Sequence, residues 1–395
     1  MTNQKVLYPL TNPIKSYAWG HRDTLPALLH YNNPNKSPQA ELWMGAHPQS
    51  PSTTIHQDQS IPLPDLLALD PTHFLGDNHG TSLPFLFKIL AIKDPLSLQV
   101  HPEKALAEAG FIQENLQHIP LDDAKRTYKD SNDKTEMLYA YSDDVWALVG
   151  FRPYADTISD LQAIASPTLQ TLLLPFSQNP SPHTLEQFLV ALLTAEASHK
   201  NQILHDILIH KASLPILNDR WQWLSTLHQH YPQDIAILAP LYMNLLHLPK
   251  GDALFVPSGT LHAYLQGTGI EIMAASDNVV RFGLTEKYVD LASLSRVVTF
   301  DAQKPHILPA SHNQPFSTPP CSFTFTHMTK DQSYTLPANN PAQIILVLNG
   351  SATITNPILH ISYALNAGQS IFIPYNAGSY HIEHHGELFI ATTYT

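Results

Sequence analysis

The segment Gly251-Asp-Ala-Leu-Phe-Val-Pro257-Ser-Gly259-Thr-Leu-His262 limits what this chain can fold into more than any other stretch. A glycine opens a turn, a run of apolar residues makes a short strand, and Pro257 and Gly259 force a tight reversal. Leu254 and Val256 alternate onto one face, and His262 starts the next strand with its ring turned inward. The spacing therefore predicts strands of a β-barrel at this point. The 33 prolines agree, because they break helices and suit short strands joined by fixed turns.

Strand patterns recur at 83–93, 96–100 and 136–150, and again at 253–256, 270–274, 344–348, 371–373 and 388–391. The pattern is helical over 102–128. Between 155 and 247 it is helical again: Thr184 is placed to cap a helix with Gln187 three residues on. Leu185, Phe188, Leu189, Leu192 and Leu193 then fall on one helix face. Ile203, Ile207 and Ile209, then Trp223, Leu224 and Leu227, continue that character. Residues 300–342, rich in Pro, Ser, Thr and Asn, read as an extended connection into a last β domain. A chain of 395 residues exceeds a single core. The expected domains are 1–150 with 248–300, a helical domain at 151–247 inserted between them, and a C-terminal domain at 301–395.

The net charge is −12 and no basic tract occurs, which argues against nucleic acid or an anionic membrane as partner. A small anionic substrate remains compatible, since a few cations can gather in one pocket. Cys321 is the only cysteine, so no intrachain disulfide is expected. No apolar run has the length of a signal peptide or a membrane span. The expected location is the cytoplasm.

Three further segments carry chemistry. In 96–101 strict alternation puts Ser97, Gln99 and His101 on one face, neighbours about 6.6 Å apart, so Gln99 and His101 can converge on one ion. Lys134 and Glu136 share a face in the same way. With His262 these would give two imidazoles, one carboxylate and one amide, leaving an open position on Zn²⁺; Fe, Mn or Ni would also accept them. Glu271 sits inside an apolar strand, where a carboxylate is costly unless paired or functional. Arg281 and Lys287 bracket a glycine-containing turn and suit a phosphate dianion.

These segments, together with Tyr17-Ala-Trp19-Gly20, Glu41-Leu-Trp43-Met-Gly45-Ala-His47-Pro48 and Leu83-Pro-Phe-Leu-Phe-Lys88, resemble the type I mannose-6-phosphate isomerases of the cupin superfamily. The resemblance implies a mainly β fold with an α-helical insertion: a cupin (jelly-roll) catalytic barrel, a helical domain and a second, degenerate cupin-like barrel. It implies one zinc per chain, held by Gln99, His101, Glu136 and His262. Catalytic roles fall to Arg281, Glu271 and Lys134, and substrate contacts to Lys88, Ser97 and Lys287. The implied reaction interconverts mannose 6-phosphate and fructose 6-phosphate through an enediol, the sugar phosphate being the partner and a monomer the expected state.

The sequence departs from the family at Ala18, usually acidic, at Asp133, usually histidine, and at Thr135 and Glu286, both usually proline. The rival readings are a cupin acting on another sugar phosphate, an Fe(II) cupin oxygenase, and a sugar-binding regulatory protein without activity. In the last domain Gly368, Pro374, Gly378 and His381 echo the Gly251 segment, and Asn349-Gly350 resembles a hairpin turn. No paired ligands precede them, so the expectation is a barrel that has lost its metal, with His381, His384 and His385 on its surface.

Overall fold

The computed structural model describes residues 6–77, 80–214, 218–329, 331–338 and 340–394. Its strands form two large antiparallel sheet systems, of eleven and seven strands, and a small two-stranded hairpin. One strand organises the first system. His262–Ala274 begins against Val145–Phe151, with His262 opposite Gln99 of Leu98–Val100. Its second half is flanked instead by Phe85–Ile92 and Glu136–Ala140. The change of neighbours comes at a bulge between Tyr264 and Gln266. Gly267 follows with φ of +110°, where an added Cβ would lie 2.7 Å from the Val145 backbone. Only glycine lets the strand bend there and pass from one layer of the barrel to the other.

Both faces of this barrel wall are buried, which explains its near-continuous apolar strands. Along Ala253–Val256, Leu254 and Val256 face inward with Leu90, Leu138, Val149 and Tyr264. Ala253 and Phe255 face the second barrel, in a cluster with Phe87, Tyr139, Phe325 and Phe389. The Tyr139 and Phe389 rings meet edge-on at 5.2 Å. The seven-stranded system is built on two long strands, Gln343–Asn356 and Tyr380–Thr393, and also takes in Tyr8–Leu10 from the start of the chain.

Helices between Tyr154 and Tyr242 pack against the first sheet system and share one apolar core with its Leu98, Val100 and Phe151. Leu185, Phe188, Leu189 and Leu192 are buried in that core, as their spacing predicts. Several local expectations need correction. Ser181, not Thr184, caps the helix Pro182–Thr194: Pro182 suits the first turn, and the Ser181 hydroxyl accepts the Thr184 N–H at 3.2 Å. Ile209 is exposed, because it lies about 200° around the helix from Ile207. The helix after residue 102 runs only over Lys104–Leu116. Beyond it the chain is pulled back, as buried Glu114 accepts the N–H groups of Thr127 and Tyr128 and pairs with Arg126 at 2.9 Å. The segment 300–342 is more than a connection. His306–Leu308 joins the first sheet system, and Phe323–Met328 and Gln332–Leu336 join the second. Asn349-Gly350 is a mid-strand bulge facing Gly386, not a hairpin.

Candidate metal centre

His101, Glu136 and His262 meet inside the first barrel, each with ligand atoms within 4.8 Å of the others. Three elements deliver them. His101 follows the strand Leu98–Val100, Glu136 opens Glu136–Ala140, and His262 opens the long strand. All three are buried. The Nε2 atoms of both imidazoles lie 3.2 Å from Glu136, one on each carboxylate oxygen. Neither Nε2 has a hydrogen-bond partner. The opposite nitrogens do: Nδ1 of His101 lies 2.7 Å from the Asn278 carbonyl and Nδ1 of His262 2.9 Å from that of Thr260. A carbonyl only accepts, so Nδ1 carries the proton in both rings and each Nε2 presents a lone pair. Two orphaned nitrogen lone pairs converging with a carboxylate, and no thiolate, form a donor set that fits zinc. Gln99 stands directly opposite His262 in the ladder, half-buried and on the same face, where an amide oxygen would complete the set.

The surrounding charges keep these groups in ligating form. Burial would raise the Glu136 carboxyl, but the Lys134 ammonium at 3.0 Å holds it well below the usual range. Burial, then the Lys134 charge, push His101 down to about 4. Tyr264, two residues past His262 and so on its face, has its hydroxyl 3.5 Å from Glu136.

The same sheet face continues as a row of alternating charge. Glu271 and Lys88 are directly opposed across neighbouring strands, their charged atoms 3.0 Å apart. Glu41 lies 3.8 Å from Lys88 on the far side, and the Lys88 ammonium stands 5.4 Å over the Trp43 ring. Burial opposes charge on Lys88, but Glu271, Glu41 and Glu136 outweigh it and raise its pKa. Burial raises Glu271, with Lys88 opposing and Glu136 adding to the shift. At the rim His47 and Asp277 pair at 3.0 Å. They line a cavity of about 470 Å³ together with Asp133, Leu86 and Ala274. A cavity of similar size, about 490 Å³, lies against the helices behind Phe282 and Gly283 and holds none of these groups.

Arg281 enters from Val280–Gly283, opposite Gln99 in the ladder. Among the described residues it has no ion-pair partner, and burial lowers its pKa. Lys287 is exposed beyond the turn; burial, Arg281 and Lys129 all press its pKa down. Ser97 is half-buried just ahead of Leu98–Val100. Sequence reasoning missed His47, Asp277, Asn278, Tyr264 and Lys129 as members of this neighbourhood. Two carried a signal: Tyr264 through its two-residue spacing from His262, and His47 through its place in one of the segments that bear the resemblance.

In the second barrel the echo of the motif is displaced. His381 faces outward, 3.0 and 3.1 Å from the Ser333 and Thr335 hydroxyls. His384, expected on the surface, is buried inside, because it alternates with Ile382 and Tyr380. Among the described residues no second group of possible metal ligands occurs.

The model of the phosphomannose isomerase type I catalytic domain matches residues 7–154, and that of the mannose-6-phosphate isomerase cupin domain matches 316–393. Mannose-6-phosphate isomerase of Escherichia coli K12 is 35% identical over 389 residues, 96% of this chain and 97% of its own. A crystal structure of a single-residue variant of phosphomannose isomerase from Salmonella typhimurium superposes with a TM-score of 0.91 at 32% identity, covering 99% of this chain and 100% of that one. A zinc-bound mannose 6-phosphate isomerase superposes over the same shares with a TM-score of 0.89 at 32% identity.

Proposed function

The chain belongs to the type I phosphomannose isomerases, and from that premise we propose that it interconverts mannose 6-phosphate and fructose 6-phosphate at the His101–Glu136–His262 centre with one zinc per chain. The carrying observation is the pair of unpartnered Nε2 atoms converging on Glu136 beside a buried Glu271. His101, His262, Glu136 and Gln99 would hold the ion, which when bound supplies Lewis-acid polarisation of the sugar's carbonyl or hydroxyl oxygens.

The chain's own residues supply the rest. Aldose–ketose isomerisation takes a proton from the carbon beside the carbonyl and returns it to the neighbouring carbon. Glu271 suits that transfer, because burial raises its pKa toward the working range, where a base both takes and gives back a proton. Lys88 keeps Glu271 oriented across the strands. Lys134, bound to Glu136, keeps that carboxylate ionised. Arg281, without an acid of its own, is free to stabilise the oxyanion that develops in the enediol. Lys287 and Ser97 would contact the substrate at the rim. Asp133 occupies the rim where the family usually has histidine, so its effect falls on rate rather than on metal binding.

The same reading carries a monomeric, cytoplasmic enzyme of carbohydrate metabolism whose partner is the sugar phosphate. No described helix is long and apolar enough to cross a membrane. The deciding experiment is turnover of mannose 6-phosphate by untreated, chelator-treated and zinc-reloaded protein. Loss on chelation and return on reloading are expected; absence of turnover in all three would refute the reading.

A further inference from the structure

Asn278 is fully buried between the rim residue Asp277 and Arg281. Its main-chain oxygen is the acceptor for Nδ1 of His101, at 2.7 Å. That contact sets which ring nitrogen carries the proton and leaves Nε2 to face Glu136. Its carboxamide works in another direction. Oδ1 accepts the main-chain N–H of Lys129 at 2.7 Å and of Asp130 at 3.2 Å. Nδ2 donates to the main-chain oxygens of Asp130 at 2.9 Å and Asn132 at 2.8 Å, with Oδ1 of Asp130 at 3.2 Å. Both lone pairs and both protons of the amide are used, as a buried amide requires.

The segment so tied, 129–132, runs straight into Lys134 and Glu136. Two further bonds reinforce the tie: the Ser276 hydroxyl donates to Asp130 at 2.8 Å, and the Asp277 N–H donates to the same carboxylate at 2.8 Å. One residue thus connects the acceptor of one metal-facing histidine with the segment that delivers the carboxylate and its lysine. A purely structural anchor would have no reason to sit on the second nitrogen of a ligand, whereas partners behind the ligands do tune metal affinity.

We propose that Asn278 is a positioning residue for the metal centre: its carboxamide, clamped on 129–132, fixes the placement of Lys134 and Glu136 and also holds in register the main-chain carbonyl that sets the tautomer of His101. The inference rests on the zinc-isomerase reading above. The test compares Asn278→Ala with Glu114→Gln in the full chain. The second change loosens the same loop from its other end, where Glu114 holds Thr127, Tyr128 and Arg126. Zinc affinity is read by competition with a chromophoric chelator, alongside Tm of the metal-free protein and kcat and KM at saturating zinc.

Asn278→Ala is expected to weaken zinc binding by roughly 10- to 100-fold and to lower kcat more than it changes KM. Glu114→Gln is expected to lower Tm while zinc affinity stays within about twofold, well short of that loss. Wild-type zinc affinity and kcat in Asn278→Ala would overturn the proposal. So would equal zinc losses in the two variants at matched Tm. Should the alanine variant not fold, Asn278→Asp carries the same comparison, since it keeps the size but loses both donors. A wild-type protein that neither binds zinc nor isomerises the sugar would refute the functional reading itself, independently of Asn278.

Discussion

Lys88→Met tests whether the row of charge beside the metal centre is arranged as the distances imply. The lysine lies 3.0 Å from Glu271 and 3.8 Å from Glu41, with side-chain exposures of 10%, 4% and 11% respectively. Methionine keeps the length and much of the packing but removes the cation, leaving two buried carboxylates facing one another. Removing one partner from a buried pair costs about 3–5 kcal/mol, mostly the unpaired charge left behind. Without Lys88, burial and the neighbouring Glu136 raise Glu271 further, since the main opposing influence is gone. A carboxyl whose folded pKa lies above its unfolded value costs stability as pH rises through the folded pKa. The penalty is therefore larger at pH 8 than at pH 5, because protonation of Glu271 relieves it as pH falls. Equilibrium denaturation of the metal-free protein at both pH values, wild type against variant, measures it. Adding Glu271→Gln to Lys88→Met should return more than half of the loss at pH 8. A cost below about 1 kcal/mol that is the same at both pH values, or strict additivity in the double variant, would show that these charges do not form the buried row.

Four further outcomes are expected. His262→Ala should lose most of the bound zinc by elemental analysis and nearly all turnover; retention of both would remove His262 from the centre. Arg281→Ala strands no carboxylate, so it should fold and hold zinc normally while kcat falls by roughly 10²-fold, whereas Lys287→Ala should mainly raise KM; a KM effect alone for Arg281 would make it a phosphate clamp. His381→Ala should leave zinc content and turnover unchanged, and two metals per chain with one lost in this variant would contradict that. His101 sits at about 4 against an ordinary 6.5, so the unfolded chain takes up a proton first as pH falls; the metal-free protein should lose up to about 3 kcal/mol between pH 6.5 and 4, and a flat denaturation profile over that range would refute it.

The metal-facing residues are legible in the sequence because each sits in a period-two pattern with its partners. Gln99 and His101, Lys134 and Glu136, and His262 after its Pro-x-Gly turn all lie where alternation puts them. What stays hidden depends on contacts between distant segments. His47 and Asp277 are 230 positions apart, and nothing local to either predicts the other. Asn278 reads as a turn residue by type, and its role is visible only once the 129–132 loop lies against it. The helical pattern over 102–128 outruns the helix itself for a related reason. Its C-terminal part does hold a breaker, Pro120, and His118 already turns the chain at φ of +57°. The ion pair of Glu114 with Arg126, invisible in a linear reading, holds the returning chain in place. At Thr184 two caps compete, and the proline at 182 decides for Ser181 by fitting the first turn.

The second barrel shows why a repeated motif need not repeat a site. In the first barrel five positions separate Pro257 from His262, the first residue of the long strand. In the second the strand begins at Tyr380, six positions after Pro374. Side chains alternate, so the residue count from a turn to the histidine does not fix its side; the residue where the strand begins does. His381 is the second residue and points out. The inward first position belongs to Tyr380, whose hydroxyl donates to Gln343 at 3.1 Å and accepts from Asn340 at 3.3 Å. Its partner in the ladder is Leu336, and four residues on the inward His384 stands opposite Ala352. A histidine at 380 would face inward yet find leucine and amides where the first barrel offers Glu136. The second barrel therefore lacks a ligand set on two counts, the starting point of one strand and the residues facing it.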